Sequence, residues 1–304
     1  MYTGFFGLHS QPFSIAPNPD FLFLSGRHAE ALAHLRYGLG DAGGFVLLTG
    51  EVGTGKTTVS RALLQELDEN TELAFILNPT LSELELLATI CDELRIRYKK
   101  SDASLKLLGD KIKNRLLKNH QSGKQTLLII DEAQHLQPVV LEQLRLLTNL
   151  ETNSRKLLQV ILIGQPELQQ LLQRSDLRQL AQRITARYHL MPLTEAEVQQ
   201  YLSYRLKVAG SERPVFEAAA VRQLYQRSQG IPRLLNLLAD RAMLAAFARQ
   251  KPLVGKAEVQ QAANEILPAS AGPAPALQPG QWLWLLALIP FMAGLGFILA
   301  RVLG

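Results

Sequence analysis

Apolar residues along this chain follow two rhythms. Through residue 193, short unbroken apolar runs alternate with longer stretches of helical spacing; from Thr194 onward, helical spacing stands alone. The runs at 45–49, 73–77, 126–132 and 157–163, with a shorter one near 188–191, have the length and bareness of strands in a parallel sheet covered on both faces. Between them, apolar positions three and four apart predict helices over 27–39 (Ala31, Leu32, Leu35, Leu39), up to about residue 67, and over 82–96, 104–119 and 138–150. The stretch 178–193 runs from helix into the last strand. Thr194 and Glu197 then form a Thr-x-x-Glu start signal, and helices are predicted at 195–208, 215–229, 232–248 and 256–266. Residues 1–26, rich in Phe, Pro, Gly and Ser, read as an irregular packed segment. The pattern predicts an α/β domain over 1–193 and a helical domain over 194–267.

The rhythm stops at residues 268–281, a stretch rich in Pro, Ala and Gly without a charge, which reads as a linker. Trp282 to Ala300 then carries no charged residue. As a helix it would extend roughly 28 Å, the apolar thickness of a bilayer, with Trp282 and Trp284 at one interface and Arg301 at the other. A transmembrane helix over 282–302 is therefore expected.

Chemistry enters where the first strand ends. Residues 45–58, FVLLTGEVGTGKTT, place the pattern G-x-x-x-x-G-K-T between a strand and a helix. Glycines let backbone N–H groups close around phosphates, and the helix start adds partial positive charge beneath them. The loop Gly50, Glu51, Val52, Gly53, Thr54, Gly55, Lys56, Thr57 and Thr58 is thus the expected nucleotide cradle. Lys56 would reach the β- and γ-phosphates, and the Thr57 hydroxyl would hold Mg²⁺. The run TLLIIDE ends in two carboxylates. Asp131 would contact the metal, and Glu132 would take the proton of the attacking water. Gln165, at the tip of the strand 157–163, is placed to touch the γ-phosphate or that water; a turn residue reads the same way. Arg178, Arg183 and Arg187 are spaced so that one could reach a neighbouring subunit's nucleotide. Arg233 follows Pro232 at a helix start, where its charge opposes the dipole unless an anion lies opposite.

Composition narrows little further. Of 304 residues, 47% are apolar and 19% charged, enough for a sizeable core. The net charge of +5 is compatible with nucleic acid or an anionic surface and diagnostic of neither. Lys106, Lys111, Lys113, Arg115 and Lys118 line one predicted helix, as a solvated face or a nucleic-acid contact. Cys91 is the single cysteine, so no disulfide or zinc cluster forms within one chain. The N-terminus lacks the basic start and apolar run of a signal peptide, and ATP use places residues 1–267 on the cytoplasmic side.

Several motifs together resemble the ExeA/GspA-like AAA+ ATPases: the segment with Phe13 and Phe21-Leu22-Phe23-Leu24, GEVGTGKTT at 50–58, NPTL at 78–81, LLIIDEAQHL at 127–136, KLLQVILIGQPEL at 156–168 and GIPRLLNLLADRA at 230–242. The resemblance implies a P-loop AAA+ module: a parallel five-stranded sheet of order 5-1-4-3-2 with a C-terminal helical lid. It implies that Gln165 falls near sensor 1, that Arg233 is a sensor 2 residue approaching the γ-phosphate, and that Arg183 is the arginine offered in trans. The N-terminal segment would close over the adenine with Phe21 or Leu24 nearby. It further implies ATP and Mg²⁺ as ligands, a homo-oligomeric ring such as a hexamer, and inner-membrane partners from a type II secretion or MSHA-like type IV pilus machine. The competing expectation is a DNA-binding AAA+ ATPase of the transposition or replication-initiator kind. The apolar tail and the lack of a winged-helix segment weigh against it.

Overall fold

The structure, a computed structural model, describes residues 2–16, 18–39, 44–77, 79–150, 156–211 and 213–267. Met1–Ala262 forms one compact unit, which holds every feature below except the last turn of the final helix. Helix α1 (Tyr2–Phe5) is followed by the packed irregular segment, in which Phe13 is buried against Phe216, and by α2 (Gly26–Gly38). Then come β1 (Phe45–Gly50), α3 (Lys56–Glu66), β2 (Thr71–Ile76), α4 (Glu83–Glu93), α5 (Leu105–Gln121) and β3 (Gln125–Ile130). The α/β part closes with α6 (Pro138–Leu147), β4 (Gln159–Gly164), α7 (Pro166–Leu172), the short α8 (Arg178–Ala181) and β5 (Ile184–Leu190). The helical part follows as α9 (Glu195–Val208), α10 (Ala218–Ser228), α11 (Pro232–Ala248) and α12 (Lys256–Ile266).

The five strands pair in parallel in the order β2-β3-β4-β1-β5, the expected order seen from the other edge. The bare apolar runs are explained by burial on both sides. Phe45 and Leu47 of β1 join the core cluster containing α4, α5 and α6, while Val46 and Leu48 join the one containing α2 and α3. Strand β3 divides likewise, with Leu128 and Ile130 on the first side and Leu127 and Ile129 on the second. Apolar runs this continuous belong only at the centre of a covered parallel sheet.

Some boundaries differ from the sequence reading. Strand β5 begins at Ile184, ahead of the expected stretch near 188–191. It is an edge strand, so its exposed positions Thr185 and Arg187 alternate with buried Ala186 and break the apolar run that would announce it. Helix α4 stops at Glu93 because Arg95 takes a left-handed conformation (φ 52°). Helix α10 starts at Ala218 because Phe216 is drawn into a parallel bridge with Val254.

The expected transmembrane helix is corrected. Among the described residues no helix is long and apolar enough to cross a membrane. The longest, α5 and α11, run for 17 residues each and carry charges within their length, Lys111, Lys113 and Arg115 in one and Asp240 and Arg241 in the other. The linker at 268–281 and the stretch 282–302 lie outside the described residues.

Candidate nucleotide site

The floor of the site is the turn between β1 and α3. Its backbone is left-handed at Gly53 (φ 82°) and Gly55 (φ 104°), which an L side chain adopts only under strain. Space excludes a side chain as well: a Cβ on Gly55 would lie 2.5 Å from His28 Nε2, and one on Gly53 would lie 2.6 Å from Arg233 Cβ. Lys56 opens α3 and is buried. Its Nζ donates to the carbonyls of Gly50 (2.9 Å) and Glu51 (3.0 Å). Burial lowers the pKa of this ammonium, against the opposing pull of the carboxylates of Glu132, Asp131, Glu51 and Glu167. Thr54 is buried, with its hydroxyl donating to the Glu51 carbonyl at 2.9 Å. Thr57, Thr58 and Val52 face the adjoining cavity.

The wall is the end of β3, whose neighbour β4 separates it from β1. The Thr57 hydroxyl donates to Asp131 Oδ2 at 3.1 Å, joining the helix start to the strand tip. Asp131 is buried, and burial raises its pKa despite hydrogen bonds from the Glu132 N–H and Thr57. Glu132 behaves in the opposite way. Burial works against its charge, but donors from Gln134 and Gln165 and the nearby Lys56 and His135 hold its carboxyl below the usual range. The backbone of Glu132 is left-handed (φ 54°), a conformation that non-glycine residues keep where the surroundings enforce it. Gln165 Nε2 donates to Glu132 Oε2 at 3.1 Å, so the structure brings Gln165 to the carboxylate.

Floor and wall border a cavity of about 670 Å³, a size that suits a small-molecule ligand. Its roof comes from both ends of the chain. Ser14, Ile15, Ala16, Asn18, Phe21, Leu22 and Phe23 of the N-terminal segment, His28 of α2, Tyr201 and Arg205 of α9, and Arg233 and Asn236 of α11 line it. Phe21 lines the cavity; Leu24 does not and is exposed. Arg233 lies against the loop, with its N–H donating to the Gly53 carbonyl at 3.3 Å.

Arg183 stands elsewhere. Its carbonyl accepts from the N–H of Phe45, the first residue of β1, whereas the loop follows the last residue of that strand, about 17 Å away at about 3.3 Å per residue. Its guanidinium donates to the Arg145 carbonyl (3.3 Å) and to Asn149 Oδ1. Arg187 donates to the Ala181 carbonyl (2.7 Å), and Arg178 opens α8. None of the three lines the cavity.

Three residues at the site escaped the sequence reading. His28 meets the Thr54 carbonyl through Nε2 (3.2 Å) and Ser25 Oγ through Nδ1 (2.8 Å), and burial lowers its pKa. Arg205 is buried, with its guanidinium 4.9 Å from the Phe21 ring centre. An arginine on the stripe Val198, Tyr201, Leu202, Arg205, Leu206 was the available signal, because an unpaired charge does not occupy a buried face. Gln134, two residues past Glu132, carried no signal beyond its proximity.

Comparisons with known proteins agree with this geometry. Residues 40–172 match the AAA domain family. Over 266 residues the chain is 61% identical to general secretion pathway protein A of Aeromonas hydrophila, a match covering 88% of this chain and 48% of that protein. The chain therefore spans about half the length of that curated relative. The fold is shared with Cdc6p of Pyrobaculum aerophilum (TM-score 0.67, 19% identity, 84% of this chain and 70% of that one). It is also shared with Drosophila ORC bound to DNA (TM-score 0.63, 22% identity, 85% of this chain and 65% of that one). At such identities the likeness concerns architecture alone. Fold, domain match and loop geometry agree: residues 40–172 match an AAA domain that contains the Gly-rich loop, and over 266 residues the chain is similar to general secretion pathway protein A.

Proposed function

We propose that the chain couples ATP hydrolysis to a protein-secretion or MSHA-like pilus-assembly machine, with residues 1–193 holding the nucleotide and residues 194–267 acting as a lid. The observation that carries the catalytic reading is the position of Glu132, at the wall of a cavity whose floor is the Lys56 loop. Gly50 to Thr58 would cradle the phosphates. Lys56 would leave the carbonyls of Gly50 and Glu51 for the β- and γ-phosphates, and Arg233 would approach the γ-phosphate from the lid. Glu132 would accept the proton of the attacking water.

Mg²⁺ fits the donor set. Among the described residues no group of three His, Cys, Asp or Glu side chains could hold a metal alone, whereas Thr57 and Asp131 offer the hydroxyl and single carboxylate of a site completed by phosphate and water oxygens. When bound, the ion would neutralise charge on the phosphates. Arg183, which does not line its own cavity, would serve a neighbouring subunit in a homo-oligomeric ring, for which a hexamer is the proposed size. The 61% identity to general secretion pathway protein A supports the choice of machine.

Steady-state hydrolysis by Glu132→Gln tests the mechanism. Turnover should fall by about two to four orders of magnitude while ATP binding persists. Turnover at the parent rate would remove Glu132 from the role of base.

A second reading is a DNA-binding ATPase. Residues 95–124 hold ten Lys or Arg against two Asp, a charge excess larger than that of the whole chain. DNA affinity that weakens steeply with salt would support it; no salt-dependent binding would leave the secretion reading alone.

A further inference from the structure

Glu132 needs an explanation for how it is held. It sits in a left-handed conformation at the end of β3, and a carboxylate there could rotate freely unless something fixed it. The next residues turn at once (Ala133–His135), which swings Gln134 back over Glu132. Gln134 Nε2 donates to Glu132 Oε2 at 2.6 Å, a short charge-assisted bond. The other end of the same amide, Oε1, accepts the backbone N–H of Gln165 at 3.1 Å. These partners fix the orientation of the amide, because a flipped amide would set oxygen against carboxylate and NH₂ against N–H. The space is specific too: a Cβ on Gly164 would lie 2.8 Å from Gln134 Oε1.

We propose that Gln134 is a positioning residue for ATP hydrolysis, a clamp that holds the Glu132 carboxylate by one oxygen and ties it to the start of α7. The proposal rests on Glu132 being the base. Gln134 does not line the nucleotide cavity, so it acts through Glu132 and not on the substrate. Gln134 and Gln165 both donate to Oε2. Oε1 has no hydrogen bond among the described residues, and it is the oxygen left to take a proton. Fixing it reduces the orientations the base must search before reaction. The clamp also links distant parts of the site. Helix α7 carries Gln169, whose Nε2 donates to Thr49 Oγ1 at 2.5 Å, directly ahead of the phosphate loop. A movement of α7 would therefore reach both the base and the loop.

The charges facing Glu132 are Lys56 from α3, His135 from the turn and Asp131 beside it, and the substitutions below leave all three in place. In the full chain, Gln134→Met keeps the length of the side chain and removes both bonds. We expect kcat to fall about ten- to a hundredfold, with KM and ADP affinity within about twofold of the parent. Gln134→Glu keeps the length of the side chain, sets a like charge against Glu132 and should lower kcat further, with KM again within about twofold of the parent. A Gln134→Met protein with kcat within twofold of the parent overturns the clamp. Should that variant fail to fold, the same result from Gln134→Glu overturns it. Glu132→Gln, run alongside, separates the two failures: parental turnover there defeats the base itself, while its loss together with unimpaired Gln134 variants defeats only the clamp.

Discussion

The floor and the roof of the nucleotide cavity are built in opposite ways. The floor is local: one strand, one turn and one helix start, with two adjacent carboxylates from a strand in the same sheet. The roof is long-range. Arg205 on α9 donates to the carbonyls of Pro12 (Nε, 2.5 Å) and Ser14 (Nη2, 3.1 Å), almost two hundred residues away in sequence, and to the Tyr201 hydroxyl at 3.0 Å. Tyr201 in turn donates to Asn236 on α11 at 2.8 Å. A floor of this kind is fixed by backbone geometry and survives the loss of single side chains. A roof of this kind hangs on a few buried polar contacts. Floor substitutions should therefore strike turnover, and roof substitutions should strike stability and nucleotide affinity.

The largest expected effect is on the floor. Lys56→Met removes the charge proposed to meet the phosphates and should lower kcat by about a hundred- to a thousandfold. The thermal midpoint of the nucleotide-free protein should hold or rise, since a buried ammonium is no longer desolvated. A melting scan beside a turnover assay checks both. A large loss of stability with little loss of turnover would reverse the contrast.

Next comes the roof. Arg205→Met leaves the carbonyls of Pro12 and Ser14 without their donor and should cost about 3 kcal/mol in denaturant titrations. KM for ATP should rise severalfold while kcat changes less. Equal losses of kcat and stability would mean that the two parts are not separable.

A smaller effect should appear with pH in the helical part. Glu258 is buried and bonded to Arg249 (2.8 Å) and Lys251 (2.9 Å). Burial opposes its charge, yet these cations and the N–H of Gly255 bring its pKa down to about 2. A lowered carboxylate contributes stability above its unfolded value, and that contribution disappears as pH falls towards 2. Wild-type stability should thus drop between about pH 4.5 and 2, and Glu258→Gln should lose about 2 kcal/mol at pH 7 while flattening that drop.

The smallest effect is at Asp131, where burial raises the pKa. A raised carboxylate contributes stability below its unfolded value and loses it as pH rises through its folded one. At neutral pH without nucleotide or metal, Asp131→Asn should therefore melt slightly higher than the parent, by less than about 1 kcal/mol, with the gap closing near pH 4. Turnover should fall at the same time. A variant that melts lower at pH 7 would contradict the assigned direction.

Legibility followed the same division. The central strands announced themselves, because burial on both faces leaves no polar position in the run. The edge strand β5 did not, because half of its positions face outward. Lys56, Thr57, Asp131 and Glu132 were readable from motif spacing, and the structure sets Thr57 against Asp131. Gln165 was readable only as a polar side chain at a strand tip; its bond to Glu132 depends on β3 and β4 being neighbours. Arg205 and His28 were not selected at all. Each is one polar residue on an apolar helix face, and the partners that tie it into the site, Thr54 for His28 and Pro12 and Ser14 for Arg205, lie in segments that the sequence cannot bring to it.

By itself, then, the sequence determined the central strands, most of the helices between and after them, and the Gly-rich turn between β1 and α3, since each depends on local backbone preference or on apolar periodicity within a few residues, while the short α1 and α7 carried too little periodicity to be read. Tertiary structure alone decided which chain segments roof the cavity, that Arg183 stands at the far end of the sheet, and that two glutamines hold one oxygen of Glu132. Those arrangements depend on contacts across strands and across most of the chain, where distance along the sequence carries no information about distance in space.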